Sequence, residues 1–127
     1  MDNYNPMIAP DPTAWLDLPE QDRLDLALEA HADVAKRLPN PKIHAVMHVL
    51  VENQVAMREE PEVACALERL VREGLDRHEA IHAIASTCLE DLFTALRNKT
   101  VFSMEKYTKK ISELSAESWL KNGDAGD

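Results

Sequence analysis

Apolar residues recur three and four positions apart along most of the chain, the spacing of amphipathic helices rather than the alternation of strands. Prolines stand between these periodic segments and punctuate them. Asp17, with Glu20 three residues on, predicts the start of a first helix that runs to about Leu38, where Pro39-Asn40-Pro41 stops it. Asn40 caps a second helix with Pro41 at its first position, continuing to about Arg58. Pro61 opens a shorter third helix ending at Gly74, and Asp76 caps a fourth that reaches about Arg97. Ser103 to Leu120 reads as one helix or two short ones, laying Tyr107, Ile111, Leu114 and Trp119 on the rest.

The expected fold is therefore all-α, an up-and-down bundle of four main helices with a C-terminal helical segment. With 127 residues the chain is long enough for one packed domain, 1–127, in which 1–14 and 121–127 are expected to be loose tails.

Placing the histidines on these helices changes the picture. At ~100° per residue, the fourth helix groups Ile81, Ala85, Cys88, Leu89, Leu92 and Leu96 on one apolar face, and His78 and His82 fall inside it. On the first helix Leu24, Ala27, Leu28, Val34, Ala35 and Leu38 surround His31. On the second, the face is Ile43, Val46, Met47, Leu50 and Val51, with His44 and His48 along one edge and Glu52 just beyond. All five histidines thus lie on or beside core-facing stripes.

Height along the bundle points the same way. At ~1.5 Å per residue, His31 lies about 10 Å before the end of its helix, and His48 and His82 about 10 Å after the starts of theirs. In an up-and-down arrangement these three share one level. A buried imidazole without a partner costs about 1 to 3 kcal/mol, and a cation accepting several nitrogen lone pairs removes that cost. The i, i+4 pairs His44/His48 and His78/His82 each set two ligands a turn apart, and Glu52 extends the row from His48. The expected site is a buried transition-metal centre on His31, His48, His78 and His82, with His44, Glu52 and Glu79 as further candidates. Nitrogen donors suit zinc first, then iron or nickel, and not calcium or magnesium. Gln54, with Asn53 at the far edge of the same face, reads either as an orienter of ligands or as a side chain bonding backbone at a helix contact.

The formal charge of -9 sets the surface against nucleic acid and anionic membrane, and the lysines at 106, 109 and 110 read as a solvated helix face. No stretch resembles a membrane span or a secretory leader, and Cys65 and Cys88 read as small core residues, so a cytoplasmic protein is expected. A homodimer is an open possibility, and no substrate can be read from the chain.

Three resemblances follow from these residues. Trp15-Leu16, Asp22-Arg23, His31, the run HAVMHVLVENQVA at 44–56 and LERLVREGLDRHEAIHAI at 67–84 resemble a family of short uncharacterised bacterial helical proteins. That resemblance implies no activity. The His78-Glu79-x-x-His82 pattern resembles zincin metalloproteases, which implies His78 and His82 as zinc ligands and Glu79 as the catalytic general base. The chain departs from zincins in offering no substrate-lining strand and no downstream third ligand. Glu79 also falls at the third helical position after the cap Asp76, where it can serve the backbone instead. His31, His48 with Glu52, and His78 with His82 are similar to part of a haemerythrin-like ligand set, which implies non-haem iron and oxygen binding. The final helix's ligands are missing from that set. The expected role is a metal centre for structure or interaction, with metal-dependent hydrolysis, oxygen binding or a metal-free bundle with hydrogen-bonded histidines as alternatives.

Overall fold

The structure, a computed structural model, describes residues 1–33, 40–57 and 61–121. Among these residues it is all helical: α1 (Pro12–Asp17), α2 (Glu20–Ala30), α3 (Pro41–Met57), α4 (Pro61–Arg72), α5 (Arg77–Asn98), α6 (Met104–Glu113) and α7 (Ala116–Lys121). The four main helices are α2 to α5, and α6 and α7 form the C-terminal segment as two short helices.

The first helix begins differently from the expectation. Asp11, not Asp17, is the first cap: it accepts from the amide of Ala14, with Pro12 at the first helical position. Leu18 precedes Pro19, whose ring disfavours helical backbone at the residue before it, and Leu18 is extended with φ -70° and ψ 141°. The helix therefore stops at Asp17 and restarts at Glu20. α2 ends at Ala30 with His31 as its C-cap, and the predicted run from residue 34 on, including Val34, Ala35 and Leu38, lies outside the described residues. Residues 1–14, read as a tail, include the buried Tyr4 and the first turn of α1, and the Tyr4 ring lies 5.5 Å from that of Trp15, the buried next residue of α1. Of the tail at the other end, only Lys121 is among the described residues, and it closes α7.

α3 sits between two apolar clusters. One joins Val51 to Val63, Leu67 and Leu70 of α4, Ile81, Ile84 and Cys88 of α5, and Tyr107, Ile111 and Trp119 of α6 and α7. The other gathers Tyr4, Trp15, Ala27, Ala45 and Val49. Because α3 is covered on both flanks, the row the wheel put at its edge is its centre: Ala45, His48, Val49 and Glu52 are buried, while Val46 is 41% exposed. α5 is buried all round from Ala80 to Ala85 and then, at 22 residues, outruns its shorter neighbours, leaving Leu96 in solvent. Cys65 is exposed too, since α4 turns Val63, Ala66, Leu67 and Leu70 inward; only Cys88 is a core cysteine.

The link between α4 and α5 sets the height of the last two histidines. Gly74 at φ 119° takes a backbone that side chains disfavour, and the amides of Gly74 and Leu75 bond back to the carbonyls of Val71 and Leu70. Asp76 then caps α5 at once, its carboxylate accepting from the amide of Glu79 at 2.8 Å. His78 and His82 thereby fall in the first two turns of α5.

Candidate metal centre

Three helices deliver the five histidines. α2 ends on His31, α3 carries His44 and His48 one turn apart, and α5 carries His78 and His82 one turn apart. One ligand atom from each lies within 4.8 Å of all the others. Ring centroids are 4.3 Å apart for His78 and His82, 4.4 Å for His31 and His48, and 4.6 Å for His44 and His82. His31, His48 and His82 are buried, and His44 and His78 are half-buried on the solvent side. The convergence of the five histidines expected from sequence is found, although the row that the wheel put at the edge of α3 is its buried centre.

Hydrogen bonds at the outer nitrogens fix the tautomers of two rings. Nδ1 of His31 lies 2.9 Å from the carbonyl of Ala27, which can only accept, so this nitrogen carries the proton and, in the neutral ring, Nε2 carries the lone pair. That Nε2 faces Nε2 of His78 at 3.1 Å. Nδ1 of His48 lies 3.1 Å from the hydroxyl of Tyr4, whose single proton is donated to Oε2 of Glu52 at 2.6 Å. The Tyr4 oxygen therefore accepts from His48, and the Nε2 lone pair of His48 faces Nε2 of His82 at 3.0 Å. Two lone pairs are thus aimed into the cluster from opposite flanks.

Glu52 reaches this site by a different route from the one expected. Both its oxygens take guanidinium donors of Arg77, each at 2.7 Å, and Oε2 also takes Tyr4. At 1% exposure such a carboxylate is stable as an anion only because its charge is paired and its lone pairs are filled. Glu52 is outside the converging group of five and stands one bond behind it, acting on His48 through Tyr4. Arg77 also donates to the carbonyl of Pro6 at 3.0 Å, fastening the N-terminal segment beside the site.

Glu79 is turned elsewhere. It follows His78 by one residue, about 100° round the helix, and its Oε1 accepts the indole N–H of Trp119 at 2.7 Å. Gln54 likewise faces the other flank, where it accepts from the hydroxyl of Tyr107 at 2.8 Å. The amide that does tie the site's helices together is Asn53, whose oxygen takes both Trp15 Nε1 and Arg23 Nη1, at 2.9 and 2.8 Å. Tyr4 and Arg77 were not legible as site residues. Arg77 carried one clue, its place immediately before His78; Tyr4 carried none beyond being an aromatic in a segment without helical periodicity.

The electrostatics favour a neutral imidazole at His48. Burial, and then the neighbouring His82, His31, His78 and His44, hold His48 far below the ordinary histidine value, because a charged ring there would lose water and face four others. Burial, followed by the charge of Glu52, pushes the phenol of Tyr4 well above its usual range, so it remains a proton donor. The arrangement is a group of converging nitrogen donors, two of them with outward partners at Nδ1, and such a donor set suits a transition metal.

Comparison with known proteins adds a family and no activity. No curated protein and no solved structure matches the chain. Residues 18–113, which span α2 to α6 and include all five histidines, match the family model of a domain of unknown function, DUF1841, and the chain belongs to that family.

Proposed function

We propose that the protein is a metal-binding bundle in which one transition ion, held by His31, His44, His48, His78 and His82, fastens α2 to α3 and α5. The observation that carries this reading is the aim of the two fixed lone pairs. His31 and His48 each spend their Nδ1 proton on an outward partner, Ala27 or Tyr4, and present Nε2 to the cluster. Histidines that ligate a metal are oriented in this way, with the second ring nitrogen donating to a carbonyl or, through a polar group, to a carboxylate. Zinc, iron and nickel all accept such donors.

A structural or interaction role is favoured over hydrolysis. A metal-dependent hydrolase needs a carboxylate free to take a proton from bound water. Glu52 is held by Arg77 and Tyr4, and Glu79 is engaged by Trp119. The resemblance to zincins therefore stops at the two histidines.

The test is elemental analysis of the protein purified without a histidine tag, after incubation with zinc, iron(II) and nickel in turn and removal of excess. About one ion per chain, lost in a His48→Ala, His82→Ala double variant that still gives a helical circular dichroism spectrum, is expected. Less than about a tenth of an equivalent of every metal would refute the proposal.

A further inference from the structure

We infer that the metal centre keeps one coordination position for a small inorganic monoanion of one to three atoms, hydroxide or an azide-like species. The inference rests on the metal reading above and extends it to a ligand class.

The first ground is ligand number and spacing. With metal–nitrogen bonds of about 2.1 Å, nitrogens at a tetrahedral ion stand about 3.4 Å apart, whereas neighbours at right angles stand about 3.0 Å apart and opposite ones about 4.2 Å. The two nitrogen pairs that face each other here are hydrogen-bonded at 3.1 and 3.0 Å, a spacing that right-angle positions on one ion can take over as each bridging proton leaves. Five donors with no two farther apart than 4.8 Å can contract onto one ion by less than 1 Å in the longest span, but four-coordinate geometry has no place for the fifth. Five nitrogens around right angles leave a sixth position.

Charge supplies the second ground. Every member of the group is a histidine, and none is a carboxylate or thiolate. Five neutral imidazoles leave both charges of a divalent ion uncancelled in a largely buried site, and an uncompensated buried charge is costly. Glu52, which stands behind His48 through Tyr4, is already neutralised by the two-pronged contact with Arg77. An anion bound directly to the ion removes half of the excess. His44 and His78 are half-buried while the other three are covered, so the cluster meets solvent on their side, and the entry suits a ligand of few atoms.

The experiment uses the full chain loaded with cobalt(II), whose visible bands report coordination number, followed by titration with sodium azide and metal analysis of the same samples. One cobalt per chain, weak bands of a five- or six-coordinate ion, and an azide-dependent spectral change that saturates at one azide per cobalt are expected. A His44→Ala variant should retain cobalt and lose the five-nitrogen spectrum. Intense tetrahedral bands unmoved by azide would overturn the anion position and leave the metal centre standing. Failure of the chain to hold cobalt would remove both.

Discussion

The two flanks of α3 are built on different principles. Toward α4, α5, α6 and α7 the contact is made by Val51, Val63, Leu67, Leu70, Ile81, Ile84 and Ile111, and closes by removing apolar surface from water. Toward α1 and α2 the buried apolar set is Tyr4, Trp15, Ala27, Ala45 and Val49, and the surface at which α2 approaches α5 is a group of imidazoles. One flank is stable by composition. The other has a polar centre, and on the metal-binding proposal the same helix belongs to a self-sufficient core on one side and a ligand-dependent one on the other.

The largest effect is expected from Arg77→Met. It leaves the 1% exposed Glu52 without its guanidinium partner, and stranding a buried charge costs about 3 to 5 kcal/mol. Urea unfolding should show this loss, and Glu52→Gln added to Arg77→Met should recover part of it, since the stranded charge is then gone. Equal instability of single and double variants would mean that the pair acts through packing alone. On the opposite flank, Leu70→Ala should cost about 2 to 5 kcal/mol, as Leu70 is fully covered between α4 and its neighbours. That loss should be the same with and without metal, which is where the comparison can break.

Metal removal is the next step down. A metal at 100 times its dissociation constant stabilises the fold by about 3 kcal/mol, and a chelator removes that contribution. Hydrogen exchange should then quicken first in α2 and the first turns of α3, with α4 and the middle of α5 still protected. Uniform quickening would show that the flanks are one cooperative unit. Tyr4→Phe should follow, weakening metal affinity about 10- to 100-fold by freeing His48 from its outward partner, with a small change in metal-free stability.

These flanks also differ in how far the sequence discloses them. Helical periodicity locates α3, α4 and α5 because their stops are chemical: Asn40-Pro41, Pro61, Gly74 and Asp76 each act within a residue or two. The histidine cluster is legible for the same reason, since i, i+4 pairs on phased helices converge whatever the loops do. The outer partners are not. Tyr4 reaches His48 across 44 residues, and Glu52 meets Arg77 across 25, contacts that no local period encodes. Glu52 looked like a ligand because it continues the row from His48; the arginine that claims it stands on another helix. The split of the first helix was legible in Leu18-Pro19 and Asp11-Pro12, but the capping pattern at Asp17 and Glu20 masked it.

The smallest expected effect bears most directly on which flank owns the start of α5. Asp76 caps that helix, accepting from the amide of Glu79, and Asp76→Ala should cost about 1 kcal/mol in the metal-free protein. The first turn it secures carries His78, whose Nε2 faces His31 of α2. If His78 ligates the ion, the ion holds that turn in place of the cap, and the loss should shrink in the loaded protein. Thermal unfolding of both proteins, each with and without metal, isolates this coupling as the difference of differences. A loss that is the same in both states would detach His78 from the centre and assign the first turn of α5 to the apolar flank, with the ion held by His31, His44, His48 and His82 alone.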